Sequence, residues 1–156
     1  MKIPIVVDSR EKCPFSFRDY EVTLTTAALP SGDYTLLGFE SEVAVERKAT
    51  DDLIACLGVN RERFVRELAR LRGYQAAVVV VEGALSDLEL GAYRSKMSPL
   101  SAVQSVVALT QRYRMPFHFA GDRRKAEFFT FNFLRHFAND AEARFAAVCR
   151  WRSDAE

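Results

Sequence analysis

Three carboxylates fall at or beside the ends of short apolar runs. Asp8 follows Ile5-Val6-Val7, Asp33 follows the Pro30-Ser31-Gly32 turn, and Glu46 follows Val43-Ala44-Val45. A carboxylate next to a segment that wants burial is costly unless something pairs with it. Lys48 lies two residues beyond Glu46. On a strand, residues i and i+2 share a face, so both side chains reach one pocket, whereas Arg47 points away and offers that pocket its backbone carbonyl. A hairpin would bring Asp33 beside the Glu46/Lys48 pair. Hard oxygen donors of this kind suit Mg²⁺, which keeps several waters and bridges to phosphate oxygens. The ion would polarise a phosphoryl oxygen and lower the pKa of a bound water, with the lysine orienting that water or stabilising charge in the transition state. The chemistry implied is hydrolysis of a phosphodiester. An isolated E-x-K triplet fits an exposed ion pair of little energetic worth equally well. Three acidic strand ends around one lysine favour a site.

Other chemistries find less support. Ser9, beside Asp8, has no histidine base placed by any motif. His118 and His136 have no Cys or His at ligand spacing, so they read as core or surface residues rather than zinc ligands. The glycines form neither a P-loop nor a GxGxxG, and no nucleotide cofactor is expected. Cys13, Cys56 and Cys149 are odd in number and lack a CxxC spacing, which argues against a disulfide framework and fits a reducing cytoplasm. The first residues hold too short an apolar run for a signal peptide, and Ala76 to Val81 falls far short of the ~20 residues of a membrane helix. A soluble, cytoplasmic protein without membrane contact is expected.

The elements that must position these residues read as strands first, then strands alternating with helices. Ile3 to Val7, Glu21 to Ala28, Asp33 to Gly38 and Val43 to Lys48 read as strands, the last two as a hairpin. From Asp51, apolar residues recur at helical spacing through Leu53, Ile54, Leu57, Phe64, Val65, Leu68 and Leu71, with a break near Gly58-Val59-Asn60. Ala76 to Val81 is a buried strand, and Ser86 to Ser98 a mobile loop with one turn of helix at most. Pro99 opens a helix to about Tyr113. Pro116 to Ala120 is a last strand, followed by one helix from about Arg123 to Ala138 and another from Asp140 to Trp151. The order implies an α/β sandwich around a mixed sheet, antiparallel near the start and parallel where helices intervene. With 156 residues, 49% of them hydrophobic, and no repeat or linker, the chain reads as one domain, 1–156.

The 22 Lys and Arg nearly cancel the 21 Asp and Glu. That balance excludes a uniformly basic protein, but a local basic face can coexist with an acidic metal pocket.

Gly32-Asp33-Tyr34 followed by Val45-Glu46-Arg47-Lys48 and Asp52 matches a GD…ERKxxxD signature. Val7-Asp8-Ser9-Arg10-Glu11 is similar to a V-D-x-R-E element, and Leu29-Pro30-Ser31-Gly32-Asp33-Tyr34 to an L-P-x-G-D-Y turn. Together, in this order, they resemble the XPF-type structure-selective nucleases, densely from residue 5 to 83 and more weakly to about 137. The resemblance implies a three-layer α/β/α, restriction-endonuclease-like core that cuts branched DNA (flaps or forks) with Mg²⁺ or Mn²⁺, in repair or recombination. It makes Asp8, Asp33, Glu46 and the carbonyl of Arg47 metal ligands and Lys48 the catalytic lysine. Arg10, Arg47 and Asp52 occupy positions linked to activity or to fixing the site. Such nucleases usually carry helix-hairpin-helix motifs and sometimes a helicase domain; neither is seen, so a standalone catalytic core is expected. Alternatives are a non-cleaving DNA-binding or regulatory subunit, or a nuclease without structure preference.

Arg63, Arg66 and Arg70 share a helix face and suit a ridge that tracks phosphates, although Glu62 and Glu67 could make it a solvated face. Arg94, Lys96 and Arg123-Arg124-Lys125 are weaker candidates. Phe128, Phe129, Phe131, Phe133 and Phe137 surround most of their helix. A helix apolar on nearly all sides is either buried or covered by a partner. The resemblance, whose members pair through this part of the fold, points to a homodimer interface.

Overall fold

The computed structural model describes residues 2–153. Six strands form one mixed sheet: β1 (Ile3–Asp8), β2 (Val22–Ala27), β3 (Tyr34–Leu36), β4 (Val43–Lys48), β5 (Ala76–Val81) and β6 (Phe117–Phe119). Their order is β2-β1-β3-β4-β5-β6. Five helices complete the chain: α1 (Thr50–Leu57), α2 (Arg61–Leu71), α3 (Leu85–Glu89), α4 (Pro99–Tyr113) and α5 (Arg123–Ser153).

Strand alternation sorts the core into two layers. Val43, Val45, Val78 and Val80 join Ile3, Ile5, Val7, Tyr34 and Leu36 against Ala126, Phe131 and Leu134 of α5. Ala44, Val79 and Val81 face the other way, into a core built with Leu53, Ile54, Phe64, Leu68, Ala102 and Leu109 of α1, α2 and α4. The result is the expected three-layer α/β/α sandwich. β1–β3 and β3–β4 pair antiparallel, while β4–β5 and β5–β6 pair parallel across helical crossovers.

Two local expectations are corrected. β2 pairs parallel to β1 although no helix connects them. Residues 9–21 serve as the crossover instead: Phe15 and Phe17 are buried on the α5 side, where their rings pack on Tyr34. The Phe15 N–H donates to the Tyr34 hydroxyl at 2.8 Å, and the Phe17 N–H to Glu127 at 2.6 Å. The two C-terminal helices are one helix, Arg123–Ser153. No Gly or Pro interrupts that stretch, so nothing stops the i→i−4 ladder at Asn139. Between Ser86 and Ser98 the chain forms the short helix α3 and is then tied down, the Tyr93 hydroxyl donating to Met97 O and the Arg94 N–H to Asp51. Among the described residues, no helix is long and apolar enough to cross a membrane.

Candidate active site

Register assembles the site. Val7 lies opposite Tyr34, and Tyr34 opposite Val45. Asp8 follows the first, Asp33 precedes the second and Glu46 follows the third, so all three come to the same end of adjacent strands. The Asp8 N–H donates to Asp33 O at 2.8 Å, and the Asp33 N–H to Val45 O at 2.9 Å. Gly32 makes the turn into this row. Its φ of +80° is left-handed, and a Cβ would sit 2.8 Å from Ala44 Cβ.

A cavity of about 400 Å³ opens beside the row. Asp33, Glu46 and Lys48 line it from the strands, Asp52, Cys56, Arg63 and Glu67 from α1 and α2, and Arg10, Glu11 and Lys12 from the loop after β1. Glu46 and Lys48 point to the α1/α2 side, as the i, i+2 spacing requires, with Lys48 Nζ 2.7 Å from Glu46 Oε1. Arg47 borders the cavity, but its guanidinium leaves on the opposite face. There it donates to Glu11 at 2.8 and 3.1 Å and to Glu82 at 3.1 Å. Its backbone N–H donates to Asp33 Oδ2 at 2.7 Å, fixing that carboxylate.

Asp8 sits behind the cavity wall. Its carboxylate is buried, accepts the Leu29 N–H and the Arg10 Nε–H at 3.0 Å each, and does not line the cavity. Among the described residues, no three His, Cys, Asp or Glu side chains converge as a metal-holding group. Asp8 thus lies beside Asp33 at the strand ends, while Asp33 and Glu46 line the cavity. A buried carboxylate needs donors, and the Leu29 N–H and the Arg10 guanidinium supply them to Asp8.

Asp33 and Glu46 burden each other electrostatically. Partial burial, then the charge of Glu46, pushes the Asp33 carboxyl up to about 8, and the Arg47 N–H only partly opposes this. Burial raises Glu46 as well, against the pull of Lys48. Burial works to lower Lys48, but Glu46 outweighs it and holds the ammonium above the usual lysine range. Two carboxylates that resist sharing a site without added positive charge would suit a divalent cation. Mg²⁺ is typically held by one or two carboxylates, with water and substrate phosphates completing the shell.

The expected arginine ridge divides. Arg63 lines the cavity. Arg66 instead pairs with Glu62 at 3.0 Å, and Arg70 donates to Ser31 Oγ at 2.9 Å and pairs with Glu67. Glu67 also accepts the Gly32 N–H at 2.9 Å, so Arg70 and Glu67 brace the turn that presents Asp33. Glu11, Glu67 and Glu82 were not singled out as functional residues. Glu11 lies within the V-D-x-R-E element, and Arg47, pointing away from Lys48, meets Glu11 and Glu82. The phenylalanines divide too: Phe131 is buried in the chain's own core, Phe129, Phe133 and Phe137 pack partly against it, and Phe128 is 57% exposed. Phe128, Phe129, Phe133 and Phe137 with Ala76 and His136 line an apolar groove of about 330 Å³.

A family model described as the ERCC4 domain matches residues 7–133, a span that includes every strand end of the site. The chain belongs to the ERCC4 domain family. That family is one of XPF-type DNA nucleases, as the motifs implied. Among solved structures, the chain is similar to XPF from Aeropyrum pernix at 22% identity and a TM-score of 0.69, covering 95% of this chain and 69% of that one. It is also similar to XPF from Aeropyrum pernix in complex with DNA, at 22% identity and a TM-score of 0.68, covering 89% and 66%. These likenesses establish an XPF nuclease fold. No curated protein matches. Within this ERCC4 domain, Asp33, Glu46, Lys48 and Asp52 of the signature line one cavity, with Arg10 at its rim.

Proposed function

We propose that this ERCC4 domain is a divalent-metal-dependent DNA endonuclease that cuts flap, fork or other branched duplexes in repair or recombination. The observation that carries the reading is the convergence of Asp33, Glu46 and Lys48 on one cavity within a chain of this family. Asp33 and Glu46 would hold Mg²⁺ or Mn²⁺, which supplies Lewis-acid polarisation of the phosphate and a more acidic bound water. Lys48, kept protonated beside Glu46, donates toward the attacking water or the charge that builds on the phosphoryl oxygens. The Arg47 N–H holds Asp33 in orientation. Arg63 and Arg10 at the rim suit neighbouring backbone phosphates. The exposed Phe128 and the groove beside it support pairing of two copies along α5.

Cleavage of matched linear, flap, fork and Holliday-junction DNA with Mg²⁺ tests the reading. Wild type cuts a branched substrate, and Lys48→Ala and Asp33→Asn, both still folded by circular dichroism, do not. Equal cutting by all three proteins refutes the site. Binding without cutting under any divalent ion identifies a DNA-binding subunit instead.

A further inference from the structure

Arg123, in the first turn of α5, lies outside the signature and outside the cavity. It nevertheless touches one of the two carboxylates that hold Arg47 and the loop that carries the other. One guanidinium nitrogen lies 2.7 Å from Glu82 Oε1, the same oxygen that accepts from Arg47 at 3.1 Å. The other donates to Cys13 O at 2.8 Å and Pro14 O at 2.9 Å. Its plane lies over the Phe15 ring at 4.9 Å. The Cys13 N–H in turn donates to Glu11 Oε1, and Glu11 is the second carboxylate on Arg47. A single side chain thus fastens Glu82 at the end of β5 and the loop that carries Glu11.

From this geometry we infer that Arg123 is a positioning residue for the nuclease centre, an inference that rests on the function proposed above. The path is short. Arg123 holds Glu82 and the Cys13–Phe15 loop; Glu82 and Glu11 hold the Arg47 guanidinium; the Arg47 backbone N–H holds the Asp33 carboxylate. The four charges, Glu11, Glu82, Arg47 and Arg123, sum to zero. Neutralising Arg123 leaves the cluster one negative charge in excess and frees the loop. Arginine suits the task because its fork serves a carboxylate and two carbonyls at once, which an ammonium on a flexible stem does not reproduce.

Arg123→Gln tests this. Because Arg123 does not line the cavity, kcat on a branched substrate falls about 10- to 100-fold, the usual cost of losing a group that orients a ligand, with KM within about twofold of wild type. Amide hydrogen exchange of residues 9–17 rises in the same variant, a readout that needs no catalysis. Unchanged exchange there overturns the inference whether or not the chain is a nuclease. Unchanged kcat in an active protein overturns it too. A loss confined to KM also overturns it, because Arg123 would then be a DNA contact. A wild type that cuts nothing refutes the proposed function instead, and the exchange of residues 9–17 still decides whether Arg123 holds the loop. If Arg123→Gln unfolds at the assay temperature, Arg123→Lys is read in its place. It keeps a charge facing Glu82 and weakens the carbonyl contacts, so exchange and kcat fall between wild type and the Gln expectation; wild-type values for both overturn the inference.

Discussion

Arg47 serves two faces of the sheet at once. Its backbone N–H donates to Asp33 Oδ2 at 2.7 Å on the cavity side, while its guanidinium is enclosed by Glu11 and Glu82 on the α5 side. The arginine of the Glu-Arg-Lys triplet is thereby an anchor for the strand that carries Glu46 and Lys48. Arg47→Ala removes the guanidinium that bridges both carboxylates, leaving two part-buried acids with one fewer counter-charge. The expected cost is about 3–5 kcal/mol of folding stability, measured by urea denaturation. Adding Glu11→Gln to Arg47→Ala recovers part of that loss, because one orphaned charge is gone. A purely additive double mutant would show that the two side chains are uncoupled.

Gly32 presents Asp33, and its geometry admits no side chain. Gly32→Ala meets both a left-handed φ of +80° and a 2.8 Å approach to Ala44 Cβ. The φ alone costs on the order of 1 kcal/mol, and the contact with a strand residue adds to it. Because the same turn is pinned by Glu67 through the Gly32 N–H, relief of the clash moves Asp33 as well. Thermal denaturation and cleavage therefore decline together in Gly32→Ala. Loss of stability with full activity would separate the turn from the site.

Asp33 sets a pH dependence for the metal-free chain. Its carboxyl sits at about 8 when folded, against roughly 4 in an unfolded chain. Between those values the folded form keeps a proton that the unfolded form has lost. The stabilisation is therefore complete below about pH 4 and is lost as pH rises through about 8. In EDTA, the stability of wild type relative to Asp33→Asn falls as pH rises from 5 to 8. A difference that is flat or rises with pH contradicts the repulsive Asp33–Glu46 pair.

Much of this was legible in the residues. The i, i+2 spacing of Glu46 and Lys48 fixed their shared face, and hydrophobic alternation located β4 and β5 at their observed bounds. What stayed hidden depends on contacts distant in sequence. Nothing local to Asp8 says that the Leu29 N–H, 21 residues away, will occupy its carboxylate. Nothing local to Arg70 says that Ser31 will accept from it and draw it off the expected ridge. The parallel β1–β2 pair leaves no trace in the sequence pattern, because its crossover is an irregular loop buried through Phe15 and Phe17, which carries no helical period. The phenylalanines of α5 surround most of their helix, and that pattern does not say which of them the chain's own core covers.

Those phenylalanines separate in experiment. Phe131 is 8% exposed and its ring stacks on Tyr20 at 4.4 Å, so Phe131→Ala costs about 3–5 kcal/mol. Phe128, on the same helix, is 57% exposed and leaves the chain's own core untouched. Phe128→Glu therefore changes the stability of a single copy by no more than about 0.5 kcal/mol. Under the proposed pairing along α5, the same substitution places a charge at a desolvated contact and shifts the chain from dimer to monomer in light scattering at tens of micromolar protein. A wild type that is already monomeric at that concentration rejects the pairing, while the stability contrast between Phe131 and Phe128 still stands or falls on the fold of one chain.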